Sequence, residues 1–133
     1  MMHYGLNAYT QTDLQSRLAG ATPHQLITLL LEGAHNTILQ AKIYFDNGNV
    51  ARRGEMLSKA INIIDEGLRA ALNHSIEPTI SADLERLYDY MSWRLIKANI
   101  TNDVHLLSQV SDFLLDLTVI WKQIDPDIRS QYE

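Results

Sequence analysis

The chain has 133 residues, 46% of them hydrophobic and 20% charged, which fits one domain large enough to bury a core without staples. A formal charge of -5 and a pI near 5.4 argue against a binder of phosphate backbones, since that affinity comes largely from Lys and Arg displacing counterions. The absence of cysteine excludes a disulfide framework and a thiolate metal site. Met1 to Gly5 lack the basic and apolar regions of a signal peptide, so the expected address is the cytosol. No apolar run is read as approaching the roughly 20 residues that cross a bilayer, and no membrane insertion is expected.

The first residues, 1–21, read as an N-terminal arm or short extra helix. Their apolar points, Tyr4, Leu6, Tyr9, Leu14 and Leu18, are spaced too loosely for one stripe. Thr22-Pro23 then supplies a cap and a first-turn proline, whose missing N–H costs nothing there. From Pro23 to about Phe45, Leu26, Leu29, Leu30, Gly33, Ile38, Ala41 and Phe45 recur at helical spacing, with Ile27 and Leu31 widening the stripe. Asp46-Asn47-Gly48-Asn49 is a turn.

A second helix is expected from Val50 to Asn73 on Leu57, Ala60, Ile61, Ile64, Leu68, Ala71 and Leu72, with Met56 and Ile63 to one side. His74 to Ile80, containing Pro78, reads as a break, and Ser81 as the next cap. The third helix is expected to run to about Asn99 on Leu84, Leu87, Tyr88, Met91, Leu95 and Ala98. Thr101-Asn102-Asp103 is the last turn, and Leu107, Val110, Leu114, Leu117, Trp121 and Ile124 form a heptad-like stripe. Loops this short make successive helices antiparallel neighbours. The expected fold is all-α, an elongated antiparallel four-helix bundle over 22–126, followed by a tail at 127–133. Off-stripe Ile27, Leu31, Met56, Ile63, Leu106 and Phe113 leave at least one apolar groove in which a peptide or second subunit could bury surface.

Catalysis has little to stand on. Glu32-Gly33-Ala34-His35 has the Glu-x-x-His spacing of a di-iron carboxylate helix, but such a site needs two copies and further inward glutamates, and no second copy occurs. His24, His35 and His105 form no paired-histidine pattern, and no glycine-rich phosphate loop is present. Asp83, Glu85 and Asp89 suit the dipole at the start of a helix. Neither an enzyme, a cofactor nor a metal is expected.

Several local patterns occur together: Ala8-Tyr9, Ala21-Thr22-Pro23-x-x-Leu26, Leu31-Glu32-Gly33-Ala34, Ser58-Lys59-Ala60-Ile61-Asn62-Ile63-Ile64 with Gly67-Leu68, Leu87-Tyr88-x-Tyr90-Met91 with Arg94-Leu95 and Ala98-Asn99, and the late Trp121. In this order, from Ala8 to Ile124, the chain resembles the flagellar secretion chaperones of the FliS family. It departs at Arg17-Leu18-Ala19-Gly20 and at His74-Ser75-Ile76-Glu77-Pro78. The resemblance implies a cytoplasmic helical bundle that holds the disordered C-terminal segment of flagellin, prevents early polymerisation and assists delivery to the flagellar type III export apparatus. It implies no catalysis and no cofactor.

On that basis the client groove is expected to have Leu84, Leu87, Tyr88, Met91, Leu95 and Ala98 as one wall. Ile61, Ile64, Leu68, Leu107, Val110 and Leu114 are expected to divide between core and rim. Tyr9 is either a surface tyrosine of the arm or a cover for that groove until client arrives. The expected partners are the flagellin segment and components of the export apparatus, with no nucleic acid, and the resting state is a monomer or weak homodimer. A self-associating structural bundle and a helical metalloenzyme are the rival readings. An oligomer mass unchanged by added tail would favour the first, and bound metal the second.

Overall fold

The computed structural model describes residues 19–72 and 78–124. Within them the chain is helical, with α1 at Pro23–Asp46, α2 at Val50–Asn62 continuing as a π-wound segment Ile63–Arg69, α3 at Pro78–Thr101 and α4 at Val104–Gln123. The expected arm lies almost wholly outside the described residues, as do the expected tail and the segment 73–77.

The start of α1 follows the sequence signal closely. Thr22 accepts a hydrogen bond from the Gln25 backbone N–H at 3.1 Å, and the Gln25 side chain accepts one from Thr22 N–H at 3.0 Å, a reciprocal capping box with Pro23 in the first turn. At the other end Gly48 adopts φ +73°, the left-handed conformation that glycine takes without a Cβ penalty. Asn49 then caps α2 by accepting from Arg52 N–H at 3.1 Å. The turn between α3 and α4 places Asn102 at φ 53° and uses Asp103 to cap α4 through His105 N–H at 2.9 Å.

Two boundaries differ from expectation. The third helix begins at Pro78, not after Ile80, because proline needs no N–H partner in a first turn; Ser81 lies one turn inside and is buried rather than capping. The second helix does not run uniformly to Asn73 but widens into π winding at Ile63. Ala60, Ile64 and Leu68 are all buried and spaced by four. Each such step overshoots a 3.6-residue turn by about 40° in an α-helix, and a wider turn takes up the drift. Gly67 belongs to the same segment, and a Cβ there would lie 2.9 Å from Leu30 Cδ2, so its bare backbone lets α2 approach α1 closely.

α1 packs against α2 and α4, and α3 closes the bundle against the same two. Cross-links fix the antiparallel pairing. His24 and Trp121 stack with centroids 4.9 Å apart while Trp121 Nε1–H donates to the His24 carbonyl at 3.0 Å, joining the start of α1 to the end of α4. Arg53 on α2 is buried and donates to Asn99 Oδ1, Asn99 O and Asn102 Oδ1 at the end of α3, with its guanidinium 4.5 Å from the Phe45 ring centroid. Nearer the other end, Ser92 donates to Asp65 at 3.0 Å, and Arg69 pairs with Asp65 and Asp89.

The core consists of Leu31, Ala34, Ile38 and Ala41 of α1, Leu57, Ala60, Ile64 and Leu68 of α2, Tyr88, Met91, Leu95 and Ala98 of α3, and Leu107, Val110 and Leu114 of α4. Leu31, expected beside the main stripe, is therefore central, whereas Leu26 and Leu29 are half-buried. Leu117 and Trp121 are half-buried at the end of the α4 stripe, and Ile124 falls beyond the helix and is exposed.

Candidate functional site

The residues expected to form the groove separate by depth. Tyr88, Met91, Leu95 and Ala98, together with Ile64, Leu68, Leu107, Val110 and Leu114, are in the closed core. Ile61, Leu84 and Leu87 lie half-buried at its margin, as do Ile27, Met56, Ile63 and Leu106. Tyr9 lies outside the described residues. In this structure the expected groove wall of α3 is thus mainly an inner wall, because those side chains are enclosed in the core where α2 and α4 pack against α3. Burial also raises the Tyr88 phenol above its ordinary pKa by removing water from the charged form.

The apolar surface lies on the outer faces. On α3, Tyr90, Trp93, Ile96 and Ile100 are 41%, 59%, 40% and 75% exposed and step along one side of the helix. At about 100° per residue this row centres on the side of α3 roughly opposite the core residues Tyr88, Met91, Leu95 and Ala98. On α4, Phe113, Leu115, Val119 and Ile120 flank the buried stripe and are all exposed. Arg94 connects the two helices: its guanidinium lies 4.6 Å from the Tyr90 ring centroid and it donates to Gln109 of α4. Single exposed apolar side chains are ordinary, but this many on two neighbouring helices supply area suited to burial against a partner. Only Phe113 among these was singled out by its position off the main stripes; the signal for the α3 row was its own three- and four-residue spacing.

The helix α4 also corrects the reading that no apolar run reaches membrane length. Its 20 residues, with a mean hydropathy of 1.2 in the most apolar window, are long and apolar enough to cross a membrane by composition alone. Asp112 and Asp116 stand in its middle, where each would cost about 2.5–3.5 kcal/mol in a bilayer, and Leu107, Val110, Ser111, Leu114 and Thr118 already pack into the bundle.

The groups with chemical potential are occupied or scattered. Glu32 pairs with Lys122 at 3.7 Å, and His24 is buried with its Nε2 2.9 Å from the Trp121 carbonyl. Among the described residues no three His, Asp or Glu side chains are grouped to hold a metal ion.

The class that the fold defines is an all-α helical bundle, with apolar side chains exposed on the outer faces of α3 and α4. The family model described as "Flagellar protein FliS" matches residues 5–128, and the chain belongs to that family. It is 43% identical over 92% of its length to the flagellar secretion chaperone FliS of Salmonella typhimurium, covering 90% of that protein. It is 39% identical to the FliS of Bacillus subtilis over 88% of this chain and 85% of the other, and 34% identical to that of Escherichia coli over 90% and 88%. The family consists of flagellar export chaperones, which are not enzymes.

Proposed function

We propose that this chain is a stoichiometric export chaperone for flagellin. It captures the disordered C-terminal segment of flagellin in the cytosol, keeps it from polymerising early, and assists its delivery to the flagellar type III export apparatus. The observation that carries the reading is the pair of exposed apolar rows on α3 and α4, in a chain whose family is one of flagellar secretion chaperones.

A tail that becomes helical only in the assembled filament has apolar residues with no partner before assembly. Laying it along Tyr90, Trp93, Ile96 and Ile100, and along Phe113, Leu115, Val119 and Ile120, removes apolar surface of both molecules from water. Ordering a disordered segment costs conformational entropy, so the contact has to be long, with many moderate anchors rather than one deep pocket. The half-buried Ile61, Leu84 and Leu87 form the margin from which such a contact extends, and the core residues beneath hold the helix faces in register. Tyr9 on the arm remains, in this proposal, a cover for the same surface. The protein acts as a monomer or weak homodimer.

Seeded elongation of filaments from flagellin monomers tests the function. An equimolar amount of the protein is expected to halt elongation, and growth at the unperturbed rate would contradict the proposal.

A further inference from the structure

Arg94 is a half-buried cation at the seam between α3 and α4. Its guanidinium lies against the Tyr90 ring, 4.6 Å from the centroid, and donates to the Gln109 side chain of α4. The two helices are antiparallel, so Tyr90 and Phe113, one turn from Arg94 and Gln109 respectively, lie toward the same end of the seam, and both are exposed. Two aromatic rings and one cation therefore share a stretch of outer surface.

The cation has no counter-charge there. Among the described arginines, Arg52, Arg69 and Arg86 meet carboxylates, and Arg53 uses its fork on Asn99 and Asn102. Arg94 meets only neutral groups: among the described residues no carboxylate is in ion-pair contact with it, Asp112 three positions from Gln109 included. The ring and Gln109 hold the guanidinium in place while most of its N–H donors stay without a protein acceptor. A fork already held in position loses little further freedom when it binds.

The surroundings define what it would take. A polyanion needs several cations, and the chain has a net charge of -5. One fixed guanidinium beside Tyr90 and Phe113 suits one carboxylate in an otherwise apolar stretch of polypeptide. Exposed apolar side chains of α3 continue past Arg94 at Ile96 and Ile100, so a segment laid along the rows crosses Arg94 rather than ending at it, and the carboxylate belongs to a side chain.

We propose that Arg94 is a specificity-determining residue of the client surface, pairing with one Asp or Glu side chain of the flagellin segment and fixing the register in which that segment lies on α3 and α4. The inference rests on the client reading above. Apolar contact is non-directional and tolerates a slide of the segment, whereas a charge pair favours one register.

A double-mutant cycle by calorimetric titration tests this, with melting followed in parallel. The full chain, its Arg94→Met variant and its Arg94→Lys variant are titrated with the flagellin C-terminal segment, and with versions of it in which each Asp or Glu is replaced in turn by Asn or Gln. Arg94→Met should bind about tenfold more weakly, the loss of one charge-assisted pair, and Arg94→Lys should recover part of that, since it keeps the charge without the fork. One amide replacement in the segment should weaken wild type by a similar factor but Arg94→Met by less than about twofold. Affinity of Arg94→Met within about twofold of wild type, or a lowered melting temperature with full additivity at every position of the segment, would overturn the assignment and leave the client reading standing. No binding by folded wild type would overturn both.

Discussion

Leu95 and Trp93 stand two residues apart on α3, one 0% and the other 59% exposed, and replacing each by alanine separates core from contact surface. Leu95→Ala removes a fully enclosed side chain, and the loss of transfer energy plus the residual cavity should cost about 3–4 kcal/mol. For a bundle of this size that lowers the melting temperature by roughly 12–20 °C. At a temperature where the variant is still folded, its affinity for the flagellin segment should be close to wild type. Trp93→Ala should do the reverse: melting changes little, since surface substitutions usually fall within about 0.5 kcal/mol, while client affinity drops by about 2 kcal/mol if Trp93 is a principal anchor. Far-UV circular dichroism on heating and calorimetric titration give the two readouts. Near-wild-type melting of Leu95→Ala, or unchanged affinity of Trp93→Ala, would refute the division between inner and outer faces of α3.

Arg53→Ala should destabilise the bundle by about 2 kcal/mol, because it leaves Asn99 and Asn102 without their fork at the end of α3; Arg53→Lys should retain most of that loss, since an ammonium cannot reproduce the planar geometry, and chemical denaturation measures both. Gly48→Ala forces an L side chain to φ +73° and should cost about 1 kcal/mol by the same assay. Tyr88 has a raised pKa through desolvation, so as pH rises the unfolded state releases this proton first and stability falls above the ordinary tyrosine range. Melting followed from neutral to strongly alkaline pH should show Tyr88→Phe losing less stability than wild type across that interval.

The helices and their ends were readable because local chemistry specifies them. Thr22-Pro23 with Gln25 makes a cap whatever lies beyond, and Asn47-Gly48-Asn49 makes a turn because glycine reaches a positive φ freely. Pro78 was harder, since proline breaks a helix from inside yet suits its first turn, and the choice depends on where the chain has already turned. The π winding of Ile63–Arg69 follows the four-residue spacing of Ala60, Ile64 and Leu68, a spacing that an ordinary helix also tolerates, whereas the close approach of Leu30 to Gly67 is a contact between helices that no local pattern carries.

The depth of the contact residues was less legible for a related reason. The sets Tyr88-Met91-Leu95-Ala98 and Tyr90-Trp93-Ile96-Ile100 have the same kind of spacing and similar apolarity, so periodicity shows two stripes on α3 without saying which one faces the other helices. Packing decides it: Met91 and Ala98 are small or adaptable enough to sit between four helices, whereas Trp93 and Ile100 remain outside.

The central claim is that these outer faces hold flagellin, and calorimetric titration of the full chain with the C-terminal segment of flagellin from the same organism tests it most directly. The account predicts saturable one-to-one binding with a negative heat-capacity change, the mark of apolar burial. Absence of binding by a protein shown to be folded and to retain residues 1–18 would contradict it.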